Sequence, residues 1–115
     1  PDLVRKTIVP DVLVGPHAAA LGLAFNPGTM LPGQGDLFVA LHGSWNRSEP
    51  YGYKVIRIPM KDGRPAGKPQ DFISGFVIGN NRVWGRPVAL LFLPDGSLLM
   101  AEDGNDTIWR VTHGK

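Results

Sequence analysis

The sequence has no cysteine, no long apolar run and no block of like charge, and each absence removes a class of explanation. Without thiols there is no disulfide framework and no thiolate zinc site, and that absence fits any compartment. The longest uninterrupted apolar stretch, "VALLFL" at 88–93, falls far short of the roughly 20 residues a spanning helix needs. The opening "PDLVRKTIV" has no apolar signal core. Twelve Lys+Arg against ten Asp+Glu leave a formal charge of +2, and the charges are scattered, so a nucleic-acid-binding stripe is not expected. A phosphate loop and a G-x-S-x-G nucleophile elbow are both missing. Serine stands only at 44, 48, 74 and 97, without His–Asp partners at hydrolase spacing.

Glycine and proline are plentiful, 15 and 11 of 115 residues, and they punctuate short apolar segments at close intervals. That rhythm predicts an all-β chain. Candidate strands are "TIVPDVLV" (7–14), "LGLAF" (21–25), "DLFVAL" (36–41), "YKVIRI" (53–58), "DFISGF" (71–76), "PVALLFL" (87–93), "SLLMA" (97–101) and "TIWRV" (107–111). Turn chemistry separates several of them: "NPG" at 26–28, "KDG" at 61–63, "PDG" at 94–96 and "EDGND" at 102–106. No segment sustains a helical period, and "HAAALGLAF" (17–25) reads as loop then strand because glycines at 15 and 22 hem it in.

The sequence also repeats internally. "AFNP" at 24–27 answers "LFLPDG" at 91–96, "GDLFVALHGS" at 35–44 answers "GSLLMAEDGN" at 96–105, and "YKVIRI" at 53–58 answers "DTIWRV" at 106–111, in the same order. Four antiparallel strands repeated along a chain describe the blades of a β-propeller, since one blade cannot bury both its faces alone. The expected organisation is a single partial propeller domain over 1–115, holding about two blades. Residues 7–14 form the last strand of a preceding blade, 21–76 one full blade, and 87–113 a three-stranded terminal blade. Two blades cannot close a ring. The chain is therefore a piece of a longer protein, or copies assemble, a homo-trimer supplying six blades, or the two sheets form an open sandwich.

Together "GDLFVALHGSWNR" (35–47), "PYGYKVIRI" (50–58), "WGRPVALLFLPDGSLLMAED" (84–103) and "IWRV" (108–111) resemble the C-terminal end of the sorbosone dehydrogenase group, itself similar to soluble quinoprotein glucose and aldose sugar dehydrogenases. The resemblance runs from about residue 17 to the C-terminus. It implies a six-bladed β-propeller that binds pyrroloquinoline quinone and Ca²⁺, most Ca²⁺ ligands lying outside this chain. The implied reaction is oxidation of a sugar or aldehyde by hydride transfer to the quinone, in a periplasmic or secreted setting. The family's catalytic base belongs to earlier blades, so no catalytic residue and no metal ligand is assigned here. Cofactor contacts carried over are Arg47, in the long insertion between the second and third strands, and Arg86 of "WGRP", which matches the second of a pair of cofactor-binding arginines. The first arginine of that pair has no counterpart here: two residues before Arg86 stands Trp84, taken as a further cofactor-contact candidate, and the nearest arginine upstream is Arg82. His42 and Trp45 belong to the motif and are placed on the pocket rim. A planar tricarboxylate needs guanidinium groups and flat faces, which these residue types supply.

Each residue also has a structural reading. Trp45 can roof an apolar blade face, Arg47 can pair with Glu49, and Arg86 can hold loop carbonyls. Lys54, Arg57 and Arg110 alternate with apolar residues and read as solvent-facing, and the equivalence of Arg57 and Arg110 in the repeat points to a structural role. "EDGND" lacks the length of a calcium loop and reads as a tight turn. "NRS" (46–48) and "NDT" (105–107) fit a glycosylation pattern too short to carry weight. The alternative function is a non-enzymatic propeller fragment whose Trp/Arg loops bind a carbohydrate or protein partner.

Overall fold

The computed structural model describes residues 1–45 and 47–114. A one-turn helix α1 (Asp2–Lys6) precedes eleven strands: β1 (Ala20–Phe25), β2 (Leu37–Leu41), β3 (Lys54–Ile58), β4 (Met60–Lys61), β5 (Arg64–Pro65), β6 (Gln70–Ile73), β7 (Val77–Ile78), β8 (Arg82–Val83), β9 (Pro87–Phe92), β10 (Leu98–Glu102) and β11 (Thr107–Val111). Every pairing is antiparallel. One sheet has the order β1-β2-β3-β6 and a second β11-β10-β9; the hairpin β4-β5, with strands of two residues, lies in the connection from β3 to β6, and β7-β8 in the connection from the first sheet to the second. The chain is all-β with antiparallel sheets, consistent with a β-propeller-like domain.

Strand alternation decides what each face buries. From β2, Phe38 enters the core between the sheets, where it meets Val55, Leu98 and Met100, whereas Val39 and Leu41 join Ile56 and Ile58 on the opposite face. Phe38 is the keystone of the first cluster, edge-on to Phe72 at 4.6 Å and to Phe92 at 5.3 Å. The leading strands β1 and β9 lie side by side, as innermost strands of adjacent propeller blades do. A Cβ added at Gly22 of β1 would stand 2.9 Å from the Ala89 Cα of β9, so the approach of the two strands depends on a residue with no side chain.

Residues 7–14, expected as a strand of a preceding blade, pair with no strand among the described residues. Val12 and Val14 pack against the cluster of Val39, Leu41, Ile56 and Ile58, while Ile8, Val9 and Leu13 stay exposed. Pro10 has no N–H to offer a ladder. The short α1 is a second departure. It buries nothing and rests on local features, Asp2 in its first turn and Arg5 and Lys6 in its last. The β7-β8 hairpin went unread because its strands have two residues each; its turn places Asn80 and Asn81 at φ 61° and 54°, a conformation asparagine tolerates.

Candidate functional site

One end of the two sheets gathers the polar residues. There β2 runs out into His42, Tyr53 leads into β3, Arg86 leads into β9, and β10 ends at Glu102 and Asp103. The loop between β2 and β3 has a rigid base. The Ser44 N–H donates to the Tyr51 carbonyl at 2.8 Å, the Tyr51 N–H donates to Ser44 Oγ at 3.0 Å, and the Tyr53 hydroxyl donates to the Ser44 carbonyl. Gly43, at φ 103°, lies against the Tyr53 ring, where a Cβ would meet a ring carbon at 2.5 Å. The Tyr51 hydroxyl donates to the Val14 carbonyl at 3.0 Å, tying the loop to the segment that covers the first sheet.

The base is fixed and the tip is open. Trp45 is 86% exposed and roofs nothing in this chain. Arg47 is exposed, with its guanidinium 5.1 Å from the Tyr51 ring centroid, and it forms no ion pair with Glu49 among the described residues. Asn46 and Lys115 lie outside the described residues, so the "NRS" pattern does too.

Arg86 sits deeper. It is half-buried with its guanidinium 5.3 Å from the Tyr53 ring centroid, and no carboxylate pairs with it among the described residues. Its backbone is held firmly: the Arg86 N–H donates to Glu102 Oε1 at 2.7 Å, and the Arg86 carbonyl accepts from the Asp103 N–H at 3.2 Å. Buried Glu102 organises this corner, its Oε1 also accepting from the Gly104 N–H at 2.5 Å and its Oε2 from Asn105 Nδ2 at 2.9 Å. "EDGND" is thus a turn closed by its own glutamate. Asn105 Nδ2, which also donates to the Trp84 carbonyl, is committed to that turn, so the "NDT" asparagine carries a structural role.

His42 bridges the sheets: its Nε2 lies 2.8 Å from Asp103 Oδ1, across 61 residues of sequence. Trp84 is drawn elsewhere. Its indole N–H donates to the Gly75 carbonyl at 2.8 Å, and its ring packs on Phe76 at 4.9 Å and edge-on to Trp109 at 6.4 Å. These aromatics, with Ser74, Arg110 and Thr112, line an open groove of about 400 Å³. Of the five sequence candidates, therefore, His42 and Arg86 occupy the polar end, Trp45 and Arg47 ride the loop above it, and Trp84 joins an aromatic cluster. Among the described residues no three His, Asp or Glu converge as a metal site.

Tyr53, Glu102 and Asp103 were not singled out from sequence. Tyr53 reads there as the first residue of a strand, but its φ of 53° takes it out of the ladder and its ring under Arg86. The strand arginines have the structural role that their equivalence in the repeat suggested. Half-buried Arg57 donates from Nε to buried Asp36 Oδ2 at 2.5 Å, and exposed Arg110 reaches Asp95 Oδ2 at 2.5 Å and Ser97 Oγ at 3.1 Å, so both are clips. Lys54 likewise pairs with Asp71 at 2.7 Å.

The comparisons with known proteins agree on one lineage. A pyrroloquinoline quinone-dependent pyranose dehydrogenase of Coprinopsis cinerea is 46% identical over 54 residues, 47% of this chain and 7% of that protein. An uncharacterized protein of Borreliella burgdorferi is 38% identical over 102 residues, 86% of this chain and 27% of that protein. The chain therefore spans about a quarter or less of the length of these relatives. The holo form of the pyranose dehydrogenase PQQ domain from Coprinopsis cinerea superposes with a TM-score of 0.76 at 28% identity, covering 96% of this chain and 30% of that one. A Trichoderma reesei carbohydrate-active enzyme of family AA12 superposes at 0.64 with 22% identity over 80% of this chain and 24% of its own, a likeness of fold. The TrAA12-like family pattern matches residues 4–114, almost the whole chain, and the chain belongs to that family.

Proposed function

We propose that this chain is part of a quinoprotein sugar oxidoreductase and builds one wall of its cofactor pocket. The observation that carries the reading is the superposition of 96% of the chain on a holo PQQ domain. The residues present fit such a group. Pyrroloquinoline quinone carries three carboxylates on a flat ring, and Arg86 offers a half-buried guanidinium that no carboxylate of the described chain neutralises. Tyr53 beneath it keeps the fork in place, and Glu102 holds the backbone on which it stands. Arg47 and Trp45, on the loop above, would add a second cation and an aromatic face. Trp84 stiffens the segment that carries Arg86 and is not needed as a cofactor contact.

The complete protein is a six-bladed propeller whose other blades supply the base and the ligands of a Ca²⁺ ion, and its substrate is a pyranose or an aldehyde of the sorbosone or aldose type. When bound, the quinone supplies the hydride acceptor. This chain's own residues would bind and orient: Arg86 and Arg47 would pair with the cofactor's carboxylates, and His42 stands at the same end of the sheets. Titration of the full-length protein with quinone in the presence of Ca²⁺, followed by the cofactor's absorbance, tests the reading. Arg86→Lys keeps the charge and loses the fork, so it should weaken binding by about 1–3 kcal/mol, the range for hydrogen bonds to charged groups. Unchanged affinity with lowered thermal stability would make Arg86 structural.

A further inference from the structure

We infer that Asp103 is a positioning residue that locks His42 in one tautomer and so presents its other nitrogen as a hydrogen-bond acceptor for a substrate hydroxyl. The inference deepens the sugar-oxidoreductase reading and rests on it for the identity of the hydroxyl's owner. An ionised carboxylate only accepts hydrogen bonds. The ring nitrogen that faces it at 2.8 Å must therefore carry the proton, and that nitrogen is Nε2. In the neutral ring Nδ1 is then left with a lone pair and no proton. The loop that carries His42 is fixed by the His42 N–H on the Ala19 carbonyl at 2.9 Å and the Gly43 N–H on the Ala18 carbonyl at 3.0 Å. The turn that carries Asp103 is fixed by Glu102 and by the Asp103 N–H on Arg86. Both partners stand on backbone held by hydrogen bonds of its own, which fixes the pair although the Asp103 side chain is 58% exposed.

The chemistry that this acceptor recognises is a hydroxyl donor. A carbonyl or an ether oxygen gains nothing from a lone pair, so the site favours a polyol over an aldehyde of the same shape.

The test uses the full-length protein labelled with ¹⁵N at histidine, in alkaline buffer that keeps the ring neutral. The expected result is a His42 signal of the Nε2–H tautomer in the wild type. In Asp103→Leu, which offers neither acceptor nor donor, the expected signal is a mixture of the two tautomers. In the quinone-loaded enzyme the same variant should raise KM for the sugar about three- to tenfold with kcat within about twofold, the loss of one ground-state hydrogen bond. Asp103→Glu, which keeps an acceptor, should restore the wild-type tautomer. A wild-type Nδ1–H tautomer, or a tautomer indifferent to Asp103, overturns the inference even if quinone binds. A correct tautomer with unchanged KM in Asp103→Leu also overturns it, because the pair is then only a clasp between the sheets. Failure of the full-length protein to bind quinone counts against the function reading alone, since the tautomer is read without cofactor.

Discussion

Asp36 and Arg57 in the first sheet, and Ser97 and Arg110 in the second, occupy the same places in the repeat, and each pair fastens the third strand of its sheet to the second. In the first copy the acid itself stands immediately before β2. In the second that place, before β10, holds Ser97, and the charge comes from Asp95, whose Oδ1 accepts from the Ser97 hydroxyl at 2.6 Å and whose Oδ2 receives Arg110. Burial pushes the Asp36 carboxyl up, but the Met60 N–H at 2.9 Å and the Arg57 guanidinium outweigh it, and its pKa lies below the ordinary value. The Ser97 hydroxyl and amide, with Arg110, lower that of Asp95. A carboxyl depressed in the folded state stabilises the fold above its unfolded value of about 3.9 and loses that contribution as pH falls through the folded value. The melting temperature should therefore be flat above about pH 5 and fall below about pH 4. Asp36→Asn should cost about 1–3 kcal/mol at neutral pH and shrink the acid-induced fall; an unaltered acid profile would remove Asp36 from this role. Glu102→Gln should cost a similar amount, because its amide would face Asn105 donor to donor, and chemical denaturation measures it.

At the scale of elements, the core between the sheets hangs on Phe38. Phe38→Ala removes the ring that both Phe72 and Phe92 meet edge-on and should cost about 3–5 kcal/mol, measured by urea unfolding. A cost under about 1 kcal/mol would place the keystone elsewhere. The strands of both sheets are legible in the sequence because each is a short apolar segment between firm turn signals, and the repeat adds a second reading of the same pattern. The 7–14 segment is as apolar, yet it pairs with no strand of the described chain and lays only Val12 and Val14 on the first sheet. Apolar content reports which side chains want burial and is silent on whether the backbone finds a partner. The site is less legible. Arg86 and His42 stand out by motif, but Asp103 meets His42 across 61 residues, and Tyr53 reaches Arg86 only because its backbone turns out of the ladder. Folding creates both contacts, and no local spacing encodes them.

For the molecule as a whole, exposed apolar surface is the informative feature. Leu21, Leu23 and Phe25 line the outward side of β1, and Leu91 and Ile108 mark the outer side of the second sheet; Leu23 is 61% and Ile108 70% exposed. Patches of this kind call for partners. The relatives' chains are several times longer than this one, and on the function proposed above the covering would come from neighbouring blades. Residues 1–115 produced alone should bind a hydrophobic dye strongly and tend to associate, whereas the full-length protein should not. A discrete, dye-silent trimer of the short chain would instead favour ring closure by three copies.

The most direct measurement is reduction of quinone by substrate. Full-length protein loaded with pyrroloquinoline quinone and Ca²⁺ is mixed with a panel of pyranoses and small aldehydes, and the cofactor's absorbance is followed. The expected result is rapid bleaching by at least one sugar, slowed in Arg86→Lys and, with sugar below saturation, in Asp103→Leu. A protein that retains no quinone, or that binds sugars through its tryptophan loops while the added quinone stays free, would contradict the assignment.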